Sequence, residues 1–318
     1  MLVRPLAVLR RELLTAGGLA RVAALWARDA AALTRLARER GAALVHTNTS
    51  VTLGGAAAAR LAGVPHVWHV REIYAGFPRG WPALRGALRT AASLPCVSAA
   101  TAAQLDGTPQ AEVVHDGLAT APARAPRDHA RAELGVGEGA FAVATLGRLS
   151  PWKGQDVLVR AVAQTPGAVA LIAGDAWRGD EREARRLGEL AASLGVAGRV
   201  RLLGFRDDVG TILGAADVVA VPSTQPDPLP NSALEAAAAG CCVVAAAHGG
   251  LPEIVRDGTT GVLVPPADAG ALAGALGALR DDPARREALG AAAAADVRRR
   301  FAPSLLLDRV QALYDGLV

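Results

Sequence analysis

One lysine, Lys153, stands among 33 arginines in this 318-residue chain. It lies in Gly147-Arg148-Leu149-Ser150-Pro151-Trp152-Lys153-Gly154, directly after an apolar run. A compact ammonium on a flexible stem suits a crowded phosphate site better than a planar guanidinium does. A solvated surface lysine is the plain alternative. Position favours the chemical reading, because Gly147-Arg148-x4-Lys153-Gly154 closes a predicted strand and opens a helix. The start of a helix attracts anions through its unpaired N–H groups and dipole. Arg148 and Lys153 add two formal charges, a combination suited to a diphosphate. GxxxxGK[ST] is absent, so this is not a P-loop.

A second constellation follows the apolar segment Asp217-Val-Val-Ala-Val-Pro222-Ser223. In Asp227-Pro-Leu-Pro-Asn-Ser-Ala-Leu-Glu235 two carboxylates stand eight apart, one in a loop and one inside the next helix. A loop carboxylate with helix-start amides can grip a polyhydroxyl ring, and a helix carboxylate can accept bonds from a ribose diol. Glu235 also reads as an ordinary helix residue, but its neighbours Ala233, Leu234 and Ala236 to Ala239 are apolar. An unpaired carboxylate would be costly there. Gly249-Gly250-Leu251-Pro252-Glu253-Ile254-Val255, then Asp257-Gly258, reads as turn, short helix, turn; its glycines permit close backbone approach.

The elements that must carry these residues form an α/β pattern. Residues 19–40 predict an amphipathic helix, 42–46 a strand, 53–62 a helix stopped by Gly63, and 65–70 a strand. A helix over 82–93, a strand over 94–97, a short helix capped by Ser98 and a strand over 113–115 complete a first domain. Residues 118–139, rich in Ala, Pro, Arg and Gly, predict a boundary. A second alternation then begins, with strands near 141–145, 169–173, 200–203, 217–221, 242–246 and 262–264. Helices fall near 154–164, 180–194, 208–214, 231–239 and 268–279, and 283–317 is helical. Strand–helix alternation argues for parallel wound sheets. The expected division is 1–118, a linker at 119–139, a second domain at 140–282, and C-terminal helices at 283–318. The first domain opens on a stub, Leu2 to Leu9, without a glycine-rich turn behind a clear strand. Gly17-Gly18 lies in an unsuitable setting for one.

Composition narrows the function classes. Hydrophobic residues make up 51% of the chain, which marks a globular protein. Residues 1–118 hold 13 arginines against 7 acids; residues 119–318 hold 21 basic residues against 23 acids. The basic first part admits an anionic partner, a membrane surface or a phosphorylated acceptor. Nucleic acid is disfavoured, since the basic residues are scattered and no aromatic stacking pattern accompanies them. Cys96, Cys241 and Cys242 form no CxxC and no metal spacing, and they fit a reducing cytoplasm. His66 and His69 stand three apart without an HExxH pattern. No signal peptide and no uncharged run of 18 apolar residues is visible.

The ordered series GRLSPWKG, AGD at 173–175, LGFRDDV at 203–209, ADVVAVPS at 216–223, the D-x7-E element, GGLPEIV and DGTTGVLVPPAD resembles family-4 glycosyltransferases of the GT-B fold. The resemblance runs over about 147–268 and extends more weakly upstream. It implies two Rossmann-like wound-sheet domains facing across a cleft, with the N-terminal domain incomplete. It also implies transfer from a nucleotide-diphosphate sugar with retention of anomeric configuration, without a protein nucleophile or metal. By resemblance, Arg148 and Lys153 hold the diphosphate beside Gly147, and Glu235 holds the ribose. Asp227 meets the sugar hydroxyls, Leu229, Asn231 and Ser232 bring loop amides, and His69 in VWHVRE faces the donor sugar. The implied acceptor is a glycan, a lipid-linked molecule or a small molecule. The cysteine usage and the basic first half point to a cytoplasmic location with peripheral contact at the inner membrane face.

Two residues depart from the family pattern. Asp227 replaces the usual Glu, shortening the reach by one methylene, and Pro230 stands where Gly is common and supplies no N–H. Both are read as sugar tuning. The missing opening strand and glycine-rich loop are a third departure, read as a late start codon or a genuine truncation. Three alternatives share part of this pattern. Gly135-x-Gly137-x-x-Ala140 fits a loose dinucleotide fingerprint but precedes a strand instead of following one. A GT-B epimerase shares the fold, but the D-x7-E and Lys153 pattern favours the transferase. A catalytically inactive nucleotide-binding protein would keep the second domain alone functional.

Overall fold

The computed structural model describes residues 6–8, 16–74, 76–78, 80–176 and 181–318. The chain divides into two compact units, Met1–Asp116 with Ser304–Val318, and Gly117–Pro303.

The first unit carries helix α1 (Ala16–Glu39), strand β1 (Val45–Thr47), α2 (Gly54–Ala62), β2 (His66–Trp68), α3 (Trp81–Leu88), β3 (Leu94–Cys96), α4 (Ala99–Ala103) and β4 (Ala111–Val113). β1 pairs with β2 and β3 with β4, both parallel. Parallel bridges Val67–Ser93 and Val70–Cys96 join the pairs. Its core is Trp68, Val70, Leu84, Leu88, Leu94, Cys96 and Leu105. Gly63 ends α2 in the left-handed conformation at φ +75°, as its position predicts. α3 is shorter than the expected 82–93, because Arg89 closes it and residues 90–93 turn the chain into β3. β4 lies two residues upstream of its expected place, where Ala111 to Val113 register with Leu94 to Cys96. Gly17-Gly18 falls inside α1. Of the opening stub Leu2 to Leu9, all but 6–8 lies outside the described residues. The Ala7 N–H donates to Asp29 Oδ2 at 2.6 Å.

The second unit adds α5 (Arg127–Glu133), β5 (Phe141–Leu146), α6 (Gln155–Gln164), β6 (Ala168–Ala173), α7 (Arg182–Ser193), β7 (Val200–Gly204), α8 (Val209–Ala215), β8 (Val218–Val221), α9 (Asn231–Ala238), β9 (Cys242–Ala246), α10 (Leu251–Ile254), β10 (Val262–Val264), α11 (Ala269–Asp281) and α12 (Pro283–Arg300). Its six strands form one parallel sheet in the order β10-β9-β8-β5-β6-β7. β8 and β9 are buried throughout and β5 nearly so, which accounts for their unbroken apolar runs. From β5 the chain adds β6 and β7 on one side, then returns to add β8, β9 and β10 on the other. The switch point therefore lies between β5 and β8, the place where wound α/β sheets bind ligands.

The stretch expected as a linker, 119–139, is corrected by α5, which belongs to the second unit. Arg131 on this helix is 4% exposed and binds Asp217 Oδ2 at 2.6 Å; Arg127 binds Oδ1 at the same distance. Asp217 Oδ2 also accepts the Ala142 N–H at 2.8 Å. These charges tie the segment to the starts of β5 and β8. The C-terminal helices separate as well. α12 stays in the second unit, whereas all of α13 (Pro303–Asp315) beyond Pro303 is grouped with the first.

Candidate functional site at the sheet's switch point

Beyond β5 the backbone opens at Gly147, whose φ is +142°. The Gly147 N–H donates to the Ala173 carbonyl at 3.0 Å, and the Leu149 N–H to the Asp175 carbonyl at 3.0 Å. Gly174, also at φ +140°, packs so closely that a Cβ would stand 2.0 Å from the Gly147 carbonyl oxygen. Pro151–Lys153 form one 3-10 turn, and Gly154 at φ +72° converts it into α6. A Cβ on Gly154 would sit 1.9 Å from the Pro222 carbonyl oxygen. The Thr224 N–H donates to the Trp152 carbonyl at 2.8 Å. The loop after β5 is thus locked, backbone on backbone, to the loops after β6 and β8.

Beyond β8 the loop is braced from β9. The Gly250 N–H donates to the Asp227 carbonyl at 2.8 Å. A Cβ on Gly249, at φ +60°, would meet Asp227 O at 2.4 Å, and one on Gly250 would meet Pro228 O at 2.0 Å. The close approach allowed by the two glycines is therefore made to the Asp227 loop itself.

These two loops bring Lys153 and Asp227 together. Lys153 Nζ lies 2.5 Å from Asp227 Oδ2, with the side chains 21% and 8% exposed. The ammonium also stands 4.2 Å from the centroid of the Trp152 ring. Arg148 is exposed beside this pair in sequence, and its carbonyl accepts a bond from Gln155 Nε2 at 2.9 Å. Leu229 is buried. Asn231 and Ser232 open α9, where the first N–H groups have no partner within the helix. Pro230 precedes them without a side-chain cap. Glu235, half-buried on α9, has its pKa raised by burial. Eight of the nine residues singled out in the sequence thus lie in the second unit, at or just beyond the ends of β5 and β8.

The ninth, His69, lies in the first unit just past β2, 3% exposed. Its N–H donates to the Thr47 carbonyl at 2.8 Å. The backbone of Val114 hydrogen-bonds the ring, and burial, with a smaller contribution from Arg71, holds its pKa down at about 4. Nε2 is buried without a hydrogen-bond partner among the described residues. The ring is neutral at pH 7, with Nδ1–H committed to the backbone and Nε2 left as the acceptor.

Gln155 and His248 carry no motif signal, yet both belong to the scaffold of the second-unit loops. His248 Nε2 meets the Ser223 carbonyl at 2.8 Å, immediately before the bracing glycines. The sole pointer was its place before Gly249-Gly250. Among the described residues no group of three or more His, Cys, Asp or Glu could hold a metal ion, and no helix is long and apolar enough to cross a membrane.

Comparison with known proteins bears on the family and the fold. The family described as glycosyl transferases group 1 matches residues 126–296. A D-inositol 3-phosphate glycosyltransferase of Mycobacterium ulcerans is 38% identical over 207 residues, 64% of this chain and 44% of that protein. A namesake from Mycolicibacterium vanbaalenii is 43% identical over 187 residues, 54% of this chain and 41% of that protein. The matches thus span less than half the length of these relatives. Among solved structures, Anabaena HepE in complex with UDP and glucose superposes with a TM-score of 0.83 and 30% identity, covering 91% of this chain and 81% of that one. Sucrose-phosphate synthase of Thermosynechococcus elongatus gives 0.79 and 27%, covering 91% and 77%. The fold class is the GT-B type of α/β fold expected from the motifs. With the family match extending over more than half its length, this chain belongs to the group 1 glycosyl transferases.

Proposed function

We propose that this chain transfers a sugar from a nucleotide-diphosphate donor with retention of anomeric configuration, in the manner of family-4 enzymes. The observation that carries the reading is the Lys153–Asp227 pair, set where β5 and β8 diverge. A cation and a hydroxyl-binding carboxylate there match the two ends of the bond to be cleaved. Lys153 and Arg148 take the diphosphate beside Gly147, and the first amides of α9, at Asn231 and Ser232, add donors around the buried Leu229. Glu235 takes the ribose diol, and Asp227 takes sugar hydroxyls. His69 accepts a hydrogen bond from a sugar hydroxyl through Nε2.

In the proposed reaction the bond between the anomeric carbon and the diphosphate oxygen breaks. A bond to the acceptor oxygen forms on the same face, and the acceptor proton passes to the leaving phosphate. The protein contributes positioning and stabilisation of the charge that develops on the leaving group. Arg148 and Lys153 supply the positive charge at the diphosphate in this scheme, which needs no metal. UDP-glucose is the first donor to test, because HepE binds UDP and glucose. Acceptors to try are glycans, lipid-linked molecules and small molecules, inositol 3-phosphate among them, since the named relatives act on it. The arginine excess of residues 1–118 supports contact with an anionic membrane face, and the three free cysteines suit a cytoplasmic setting.

Calorimetry with UDP and GDP, run beside a UDP-glucose turnover assay in EDTA, tests the reading. Nucleotide binding with turnover is expected. Binding without turnover on any sugar nucleotide would favour the non-enzymatic alternative, and isomerisation of the donor without transfer would favour an epimerase.

A further inference from the structure

The proposed reaction uses one of three histidines gathered in the first unit. His46 lies on β1, His66 on β2 and His69 just beyond it. His66 is tied to Thr47 Oγ1 at 2.8 Å. His46 is tied much further along the chain: its Nδ1 lies 2.6 Å from the hydroxyl of Tyr314, on α13. The Tyr314 ring meets the His46 ring edge-on, at 5.8 Å and 89°. The other neighbour of His46 is His69, stacked at 5.8 Å between centroids and 24° between planes.

We propose that His46 and Tyr314 are positioning residues for His69: the tyrosine hydroxyl fixes the His46 ring, and that ring fixes the plane of the His69 imidazole. The proposal rests on the reading of His69 as the hydroxyl-binding imidazole. Three observations argue against ordinary core packing. First, α13 has no fully buried side chain, so the Tyr314 bond is a directed tie and not one contact in a packed interior. Second, His46 Nε2 and His69 Nε2 are both buried without a partner among the described residues, a standing cost that an apolar pair would avoid. Third, the Val114 backbone bond engages the His69 ring at one nitrogen, whereas the stacked His46 ring is set against its face. In the proposed arrangement the His46 face sets the plane of the His69 ring. Burial keeps both rings neutral at pH 7.

The test uses the full chain with 15N-labelled histidine. Long-range 1H–15N spectra report the tautomer and nitrogen shifts of its six histidines. His46→Gln and His69→Ala assign the two signals. Tyr314→Phe keeps the ring and removes only the hydroxyl. It is expected to move the nitrogen signals of both His46 and His69, and to lower kcat on UDP-glucose about 5- to 20-fold with KM changed less than twofold. His46→Gln keeps a group able to bond Tyr314, and should recover more activity than His46→Ala. In a His69→Ala background, Tyr314→Phe should cost nothing further. Unchanged His69 signals in Tyr314→Phe overturn the proposal whatever the activity, and so does an additive loss in the double variant. Full turnover in His69→Ala would instead sink the role given to His69, while the spectra would still decide the positioning.

Discussion

Asp227→Asn separates the two things the carboxylate does. In the free protein it neutralises Lys153 at 2.5 Å, and in the proposed complex it holds sugar hydroxyls. A pair with side chains 21% and 8% exposed lies between surface pairs, worth about 0–1 kcal/mol, and buried ones, whose rupture costs about 3–5 kcal/mol. A coupling of about 1 kcal/mol is a fair working value, since asparagine keeps an acceptor near the ammonium. Free UDP must compete with this internal counter-ion, so Asp227→Asn should bind UDP about fivefold more tightly. Lys153→Met removes the cation and should weaken UDP by about 2–3 kcal/mol, some 30- to 150-fold. UDP-glucose should respond in the opposite sense to Asp227→Asn, losing charge-assisted bonds worth about 1.5–3 kcal/mol against the gain at the phosphate. Titration calorimetry at one fixed ionic strength measures all five affinities, three for UDP and two for UDP-glucose. If Asp227→Asn weakens UDP as strongly as Lys153→Met does, with its melting temperature intact, the carboxylate is not competing for the lysine and the argument fails.

Glu235→Gln should weaken UDP by about 1–2 kcal/mol and, in the unliganded protein, raise the melting temperature at neutral pH. The sign follows from its raised pKa: the folded state binds this proton more tightly, so the cost is absent at acid pH and grows as pH rises from the usual Glu value of 4.5 past the raised one. Equal melting-temperature changes at pH 4 and pH 8 would contradict that account. Gly154→Ala forces a side chain into φ +72° and against the Pro222 carbonyl; it should cost at least about 1–2 kcal/mol in urea titration and most of the UDP affinity. Asp217→Asn should cost about 3–5 kcal/mol, because Arg131 is left buried without its counter-charge. Denaturation midpoints would show this without any substrate.

Local signals made most of the scaffold legible. The apolar runs that became β5, β8 and β9 are continuous because those strands are buried, and Gly63 ends α2 by the conformation only glycine adopts cheaply. The segment 119–139 was illegible for a physical reason. Its Pro, Ala and Arg content resembles a solvated linker, and its buried role depends on Asp217, some 90 residues on. The same distance effect hides the contacts of the site. Lys153 and Asp227 each point to a donor from their own motifs, but their contact arises from the return of the chain across β5, 74 residues later. The tie between His46 and Tyr314 spans 268 residues and has no local signature. The glycines at 249 and 250 announced a close approach in the sequence; what they approach is a matter of sheet order.

Those glycine contacts divide the site into parts that can change and parts that cannot. Gly154, Gly174, Gly249 and Gly250 each make room for the backbone of another loop. The loops are therefore registered by main chain, and the side chains between them carry little of that duty. Substitutions at Asn231 or Ser232 can reshape what the proposed donor sugar would meet while the loop after β5 stays in place. A new donor preference can thus arise by single side-chain steps, whereas any side chain at those four glycines would displace two loops at once.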